Sequence, residues 1–268
     1  MHTPYLNITL VEEVTTIARA AGAVIMDVYS RPISVTEKAD HSPLTEADAA
    51  AHQLIDQRLK QLSLRLPVLS EEDTTSFPGP DAQGRYWLID PLDGTKEFIK
   101  RNGEFTVNIA LIVQGKPVLG VVYAPALDVC YTAALGLGAH KTDAQGHVSP
   151  LTVASHDANT PWRVVGSRSH AGEAMPRLLA QLGSHELVAM GSSLKLCLVA
   201  EGSADVYPRL GPTSLWDTAA AHCVVEQAGG QVVQLNGQPL SYADTRQLLN
   251  PYFLVIGNSQ QHWPSLFA

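Results

Sequence analysis

Cysteine is scarce in this chain of 268 residues, and its thiols show no pairing pattern. Cys130, Cys197 and Cys223 lie far apart in apolar segments, with no Cys-x-x-Cys pair and no cluster with histidine. This spacing excludes a disulfide scaffold and a structural zinc site. With 45% apolar side chains, a chain of this length buries a sufficient core without a disulfide or a structural metal. We therefore expect reduced thiols that serve as small core residues.

Positive charge is also sparse. Lysine and arginine total 18 against 26 aspartate and glutamate residues, which gives a formal net charge of −8. Binding to duplex nucleic acid requires a clustered basic surface, so we expect no nucleic-acid polymer as a partner. A small anionic ligand is compatible with this balance, because divalent cations can invert the local field of an acidic protein.

Long apolar runs and an export signal are absent from the sequence. The N-terminal region has no basic segment followed by an apolar stretch and a cleavage site. Apolar runs such as residues 118–127 are about half as long as a membrane-spanning helix and contain proline. These absences predict a cytoplasmic protein without a transmembrane segment.

Hydrophobic periodicity predicts two helices at the start of the chain. Apolar residues recur at three- and four-residue intervals over residues 8–28, where Thr9 begins a capping-box pattern. A second stripe covers residues 47–62, with Thr45 at the N-cap position and Asp48 three residues later. The sequence thus begins with a pair of amphipathic helices.

The pattern then changes to strands. Residues 105–134 alternate or form short apolar runs, which is typical of an antiparallel meander. After a polar linker at residues 136–160, short helices and strands alternate. This order predicts alternating layers of helix and sheet, divided into an N-terminal half, residues 1–150, and a C-terminal half, residues 151–268.

A group of acidic residues follows an apolar strand predicted at residues 86–90. Asp90 ends the strand, at the position where sheets of α/β type place their ligands. Asp93 follows after a turn, so both carboxylates can face one point with the Leu92 carbonyl between them. Gly94 lets the backbone approach a ligand closely. Oxygen ligands without histidine or cysteine suit a hard cation such as Mg²⁺.

Two further acidic residues lie at comparable places. Glu71 follows a short strand within the sequence Ser-Glu-Glu-Asp at residues 70–73, which by itself is typical of a solvated acidic turn. Asp217 opens a predicted helix, where its ordinary role is an N-cap. One of its oxygens can cap the helix while the other binds a metal. The co-occurrence of the three motifs favours a metal site over these simpler interpretations.

These three motifs together resemble a known family, the lithium-sensitive, magnesium-dependent phosphatases of the inositol monophosphatase superfamily. The matching stretches are SEED at residues 70–73, DPLDGTKEF at 90–98 and WDTAAAHCVVEQAGG at 216–230. The resemblance runs nearly end to end. It implies a layered α+β or α/β fold, an alternating α-β-α-β-α sandwich.

Longer stretches narrow the resemblance to the bacterial 3′(2′),5′-bisphosphate nucleotidases. They are GTKEFIKRNGEFTVNIALI at residues 94–112, VGSRSHA at 165–171 and GSSLKLCLVAEG at 191–202. The activity so implied is hydrolysis of adenosine 3′,5′-bisphosphate to AMP and inorganic phosphate, which clears a by-product of sulfate activation and sulfotransfer. The alternatives are an inositol monophosphate or other sugar-phosphate phosphatase with the same metal site, and a nucleotide sensor without turnover.

The resemblance also assigns roles to individual residues. The implied metal ligands are Glu71, Asp90, the Leu92 carbonyl, Asp93 and Asp217. The implied catalytic residues are Glu71, Thr95, which helps to bind and activate the attacking water, and Asp48, which orients that threonine. The implied substrate contacts are Glu71, Leu92, Asp93, Gly94, Thr95 and Asp217 around the scissile phosphate, and His170, Ser192, Lys195 and Arg209 around the adenosine and the remaining phosphate.

Charge balance and the resemblance together set the expected partners. Four carboxylates carry more negative charge than one Mg²⁺ neutralises, so we expect two or three ions. Some members of the family associate with the cytoplasmic face of the inner membrane, and no basic amphipathic helix in this sequence requires that. The periodicity predicts no particular oligomeric state.

Overall fold

The structure, a computed structural model, describes residues 5–32, 35–37, 43–166 and 174–267. His170, which the resemblance places at the nucleotide, lies outside the described residues. Within this part of the chain, no helix is both long and apolar enough to cross a bilayer. The three cysteines are free and buried among apolar side chains.

The described residues form six α-helices, fourteen strands and a final 3₁₀ turn. The helices are α1 (Ile8–Tyr29), α2 (Glu46–Leu59), α3 (Thr95–Ile99), α4 (Ala174–Leu182), α5 (Leu194–Ala200) and α6 (Ala219–Gln227), followed by the turn Trp263–Leu266. The strands of the first part are β1 (Val35–Glu37), β2 (Pro43–Thr45), β3 (Val68–Ser70), β4 (Arg85–Asp93), β5 (Thr106–Val113), β6 (Lys116–Ala124), β7 (Val129–Ala134), β8 (Gly138–Thr142) and β9 (Val148–Pro150). The remaining strands are β10 (Trp162–Gly166), β11 (His185–Ala189), β12 (Val206–Arg209), β13 (Gln231–Gln234) and β14 (Phe253–Ile256).

A seven-stranded sheet joins β3 to β9 in chain order. β3 runs parallel to β4, and every later pair is antiparallel. The predicted meander is confirmed as β5, β6 and β7. The predicted linker after it was wrong in part, because β8 and β9 extend the sheet. Asp143 folds the turn between them by accepting the backbone N–H groups of Gln145 and His147, at 2.9 and 2.8 Å, so the polar composition belongs to a hairpin.

A second, five-stranded sheet has the order β11-β10-β12-β14-β13. β10 is parallel to both of its neighbours, whereas β14 is antiparallel to β12 and β13. The sequence pattern did not single out β14, a short buried apolar run. A run of this length carries no periodicity that separates a strand from a helix.

Three apolar cores hold five layers together. The first lies between the pair α1 and α2 and one face of the seven-stranded sheet. The second fills the space between the two sheets, where α5 and α6 lie. The third covers the outer face of the five-stranded sheet, beneath α4 and the final turn. The α-β-α-β-α sandwich is thereby confirmed.

The sequence predicted the N-terminal cap of α2 correctly but not that of α1. α1 begins at Ile8, and Asn7 caps it by accepting the Leu10 N–H at 2.9 Å, so the capping box expected at Thr9 was wrong. At α2, Thr45 is the N-cap as predicted, and Asp48 completes a capping box with it. The Asp48 carboxylate accepts the Thr45 N–H at 2.8 Å. This bond fixes Asp48 in the first turn of α2.

α6 packs against the seven-stranded sheet at Gly120 of β6. An added Cβ atom at Gly120 would lie 2.1 Å from the Ala220 carbonyl oxygen and 3.0 Å from the Cys223 Cβ. Contact this close is possible only where no side chain intervenes, so this glycine sets the distance between the central helix layer and the sheet.

We predict that Gly120→Ala destabilises the fold by about 1–3 kcal/mol, because the added methyl group overpacks a backbone contact. Urea unfolding would measure the change. Gly211→Ala is the matched control, since an added Cβ at Gly211 meets no atom within 4 Å, and its free energy of unfolding should match that of the unaltered chain. Equal stability of the two variants would contradict this account of Gly120.

Candidate active site

β4 contains a bulge that changes where its carboxylates point. β4 and β5 stay in register as far as the pair Asp90 and Asn108, and the register shifts before Asp93 pairs with Thr106. In a regular strand, residues three positions apart point to opposite faces of the sheet. The bulge removes this alternation, so that both carboxylates lie near the beginning of α6.

Three carboxylates from separate elements meet at this end of β4. One oxygen each from Glu71, Asp90 and Asp217 lies within 4.8 Å of the other two. Glu71 follows β3 and donates its backbone N–H to the Ile89 carbonyl of β4 at 3.3 Å. The sheet therefore brings Glu71 and Asp90 side by side, and the loop before α6 brings Asp217 to them from the neighbouring layer.

Asp217 is held by its own loop. Its Oδ2 atom accepts the Thr213 hydroxyl at 2.7 Å and the Ser214 N–H at 2.9 Å. The expectation that Asp217 caps α6 was wrong, because Thr218 occupies the N-cap position and makes no side-chain capping bond. The loop uses the carboxylate instead, which directs Asp217 toward the acidic cluster.

Asp93 is fixed by two different elements. Its Oδ2 atom accepts the Ser193 N–H at 2.5 Å, at the beginning of α5, and lies 3.4 Å from the Asn108 amide nitrogen on β5. Sequence reasoning did not identify Asn108 or Ser193 as part of the site. The only signal for Ser193 is its position in the segment Gly-Ser-Ser that precedes α5. Asn108 is, with Thr106, one of two polar residues in an otherwise apolar strand.

The carboxylates destabilise one another in their ionised forms. Burial, followed by the negative charges of Glu71, Asp93 and Asp217, raises the pKa of Asp90 well above its ordinary value. Burial and the charge of Asp217 raise the pKa of Asp93 to about 7, against the opposing effect of the positive charge of Lys195. The cluster therefore favours either protons or a cation.

The donor set fits a hard divalent cation. Asp90 has one oxygen, Oδ2, that is buried and lacks a hydrogen-bond partner among the described residues, while Oδ1 accepts the Leu92 N–H at 3.0 Å. An ionised oxygen in that situation carries a large desolvation cost unless a cation or proton meets it. All of the clustered ligand atoms are oxygens, the type that Mg²⁺ prefers.

A threonine hydroxyl lies beside the cluster. Thr95 opens α3 directly after Gly94, whose φ of +94° is in the left-handed region that glycine adopts at no steric cost. Its Oγ1 atom lies 3.4 Å from Asp48 Oδ1 and 3.5 Å from the Leu92 carbonyl oxygen. Asp48 is only 1% exposed, and its other oxygen accepts the Thr45 hydroxyl at 2.6 Å. The predicted pairing of Asp48 with Thr95 is present in the structure.

A solvent-open cavity adjoins the cluster. Its lining includes Asp93 and Asp217 on the acidic side, together with the predicted nucleotide contacts Ser192, Lys195 and Arg209. The structure therefore places these three residues next to the acidic cluster, although they come from the segment before α5, from α5 itself and from β12. Sequence reasoning missed the six other lining residues, which are Ser193, Leu196, Tyr207, Thr213, Thr218 and Phe253.

The two cationic side chains of the cavity, Lys195 and Arg209, make different contacts. Lys195 Nζ lies 5.8 Å from the centre of the Tyr207 ring. Arg209 donates to the carbonyls of Gly211 and Pro212 and to the Tyr207 hydroxyl. These bonds use three of its five N–H groups, so Arg209 also supports the loop that leads to Asp217.

Comparison with known proteins gives a consistent assignment. The model of the inositol monophosphatase family matches residues 8–263. The protein called 3′(2′),5′-bisphosphate nucleotidase CysQ from Escherichia coli K12 is 52% identical over 248 residues, which cover 92% of this chain and 99% of that protein. The protein of the same name from Haemophilus influenzae is 37% identical and covers 98% of both chains.

Solved structures agree with the sequence comparisons. The crystal structure of CysQ from Bacteroides thetaiotaomicron, described as a bacterial member of the inositol monophosphatase family, superposes with a TM-score of 0.81 at 40% identity, over 95% of this chain and 99% of that one. An inositol monophosphatase from Anabaena gives a TM-score of 0.75 at 27% identity, over 96% and 93% of the two chains. The chain belongs to the inositol monophosphatase family.

Proposed function

We propose that this chain is a magnesium-dependent 3′(2′),5′-bisphosphate nucleotidase, which hydrolyses the 3′-phosphate of adenosine 3′,5′-bisphosphate to give AMP and inorganic phosphate. The observation that carries the proposal is the cavity that joins the acidic cluster to Lys195 and Arg209. A site for two phosphates needs one place for the reacting group and a separate cationic place for the other. The name of the relatives at 52% identity supports the same substrate.

Two or three Mg²⁺ ions are proposed at this site. Glu71, Asp90, Asp93, Asp217 and the Leu92 carbonyl would hold them. When bound, the ions would neutralise the phosphate dianion and make a water molecule more acidic. The mutual repulsion of the carboxylates and the unpartnered Asp90 Oδ2 atom support this assignment.

Thr95 and Asp48 would prepare the nucleophile, next to Glu71. The Thr95 hydroxyl lies within hydrogen-bonding reach of both the Asp48 carboxylate and the Leu92 carbonyl. Asp48 is anchored in the first turn of α2 by its bonds to Thr45, so it holds Thr95 in one orientation. Thr95 can then accept a hydrogen bond from the attacking water while its own proton goes toward Asp48.

The scissile phosphate is proposed to lie over residues 92–95, between Glu71 and Asp217. The second phosphate would lie near Lys195 and Arg209, with Ser192 as a polar neighbour. Ser192 adopts a left-handed backbone conformation with φ of +46° and is 8% exposed, so its position is set by the fold. His170 remains a proposed contact to the adenosine.

The proposed cellular role is nucleotide recycling in sulfur assimilation. Adenosine 3′,5′-bisphosphate forms wherever a sulfate group is transferred from its activated nucleotide, and its hydrolysis removes that by-product. A cytoplasmic location is part of the same proposal, because both the substrate and AMP belong to that compartment.

A substrate panel with a metal titration tests the proposal directly. We expect phosphate release from adenosine 3′,5′-bisphosphate to depend on Mg²⁺, to exceed release from inositol 1-phosphate at equal concentration, and to fall when lithium is added. A colorimetric phosphate assay and chromatography of the nucleotide product give the two readouts. Greater turnover of inositol 1-phosphate would favour the sugar-phosphate alternative, and tight nucleotide binding without phosphate release would favour a sensor.

Asp90→Asn should separate catalysis from stability. We expect phosphate release to fall at least about 100-fold, since even residues that only support a metal ligand contribute about 10- to 100-fold. Without metal, the variant should be more stable at neutral pH and should melt at a higher temperature than the unaltered protein. Folding raises the pKa of Asp90, so ionisation destabilises the folded chain increasingly as the pH rises.

Thermal unfolding with and without Mg²⁺ measures the second effect. Mg²⁺ should raise the melting temperature of the unaltered protein and raise that of Asp90→Asn much less. A variant that keeps both full activity and full stabilisation by Mg²⁺ would show that Asp90 is not a ligand.

Thr95→Ala should lower kcat at least about 100-fold, because it removes the hydroxyl that orients the attacking water. The Mg²⁺ concentration for half-maximal activity should change little. Thr95→Ser keeps the hydroxyl and is the matched control, with kcat expected within about tenfold of the unaltered protein. Steady-state kinetics on adenosine 3′,5′-bisphosphate provide the measurement, and equal loss of kcat in both variants would assign the effect to packing.

A further inference from the structure

Three buried polar side chains lie directly behind Asp93. They are Thr106 and Asn108 on β5 and Ser193 at the beginning of α5, and each is at most 2% exposed. The seven-stranded sheet and the central helix layer supply them from positions about 85 residues apart in the chain. Burial of polar groups lowers the stability of the fold unless all of them are hydrogen-bonded, so only a fully bonded arrangement of the three is favourable.

The hydrogen bonds between them have a single consistent direction. An ionised Asp93 only accepts, so Asn108 must present its N–H₂ group to it, at 3.4 Å. The Asn108 carbonyl oxygen then accepts the Ser193 hydroxyl at 2.8 Å. Ser193 has a single hydroxyl proton, so the Thr106 hydroxyl, 2.8 Å from Ser193 Oγ, must be the donor of the remaining bond. Each hydrogen bond is therefore donated in the direction of Asp93. Thr106 donates to Ser193, Ser193 donates to Asn108, and Asn108 donates to Asp93.

We propose that Thr106, Ser193 and Asn108 form a positioning relay that orients Asp93 for a divalent cation and couples cation binding to the nucleotide side of the cavity. The inference rests on the proposed function, because it takes Asp93 to be a metal ligand. Within the relay, the orientation of the Asn108 amide depends on the Ser193 hydroxyl, and that hydroxyl depends on Thr106. Of the three, Ser193 alone lines the cavity, so Thr106 and Asn108 act without touching the substrate.

The coupling follows from Ser193, which acts on Asp93 by one direct and one indirect route. Its backbone N–H donates directly to Asp93 Oδ2 at 2.5 Å, and its hydroxyl acts on Asp93 through Asn108. Ser193 also lines the cavity, together with Ser192, Lys195 and Asp93. A displacement of Asp93 is therefore transmitted to the segment proposed to hold the second phosphate, and the reverse holds as well.

Substitutions at Thr106 separate the hydroxyl from the packing. Thr106→Val keeps the volume and removes the hydroxyl, whereas Thr106→Ser keeps the hydroxyl and removes a methyl group. Ser193→Ala removes the central hydroxyl but keeps the backbone N–H to Asp93. We expect Thr106→Val and Ser193→Ala to bind Mn²⁺ about 10-fold more weakly, and Thr106→Ser to bind it within about twofold of the unaltered protein.

Binding of Mn²⁺ alone, followed by the electron paramagnetic resonance signal of the free ion, provides a readout that does not depend on turnover. In kinetics, Thr106→Val should raise the Mg²⁺ concentration for half-maximal activity and the KM for adenosine 3′,5′-bisphosphate, while kcat at saturating metal stays within about threefold. The double variant Thr106→Val with Ser193→Ala should be no weaker than Ser193→Ala, because both changes interrupt one relay.

The outcomes separate the relay from the proposed function. If the unaltered protein binds Mn²⁺ and hydrolyses the nucleotide, but Thr106→Val and Ser193→Ala match it within twofold, the relay is wrong and the function stands. Equal weakening by Thr106→Ser and Thr106→Val would also overturn it, since packing would then be the cause. Absence of Mn²⁺ binding by the unaltered protein would refute the proposed function itself. Thr15→Val, which removes a hydroxyl bonded to the Val11 carbonyl in α1, should leave Mn²⁺ affinity unchanged.

Discussion

The repulsion within the carboxylate cluster is the constraint on which the rest of this structure depends. Asp90 is almost fully buried beside the half-buried Glu71 and Asp217, so the fold places like charges where water screens them poorly. The surrounding structure must hold this arrangement against its tendency to separate. The sheet, the central helix layer and the loop before α6 each fix one carboxylate, and their combined rigidity maintains a site ready for cations.

Local patterns predicted those parts of the site that form within a few residues. The position of Asp48 follows from Thr45 and the capping box of α2, which lie next to each other in sequence. The strand that delivers Asp90 was also visible as an apolar run. Asp217 shows the limit of this approach, because Thr213 and Ser214 compete for its carboxylate and the helix is capped elsewhere.

Contacts between distant segments were beyond the reach of sequence patterns. Asn108 and Ser193 meet because β5 and α5 belong to adjacent layers, and neither residue type is unusual at its place in the sequence. The hairpin of β8 and β9 was hidden because its polar turn has the composition of a linker. The division into halves near residue 150 stays a proposal, which the end of the first sheet at Pro150 supports.

The three buried thiols can report on the opening of individual layers of the fold. Burial raises the pKa of Cys130 to about 12 and raises the pKa of Cys197 and Cys223 far above the ordinary thiol value, so thiolate is scarce at neutral pH. Cys130 belongs to the core beneath α1 and α2, whereas the other two lie between the sheets. Alkylating reagents therefore reach each sulfur only when its own layer opens, and the order of modification records which layer of the sandwich separates first.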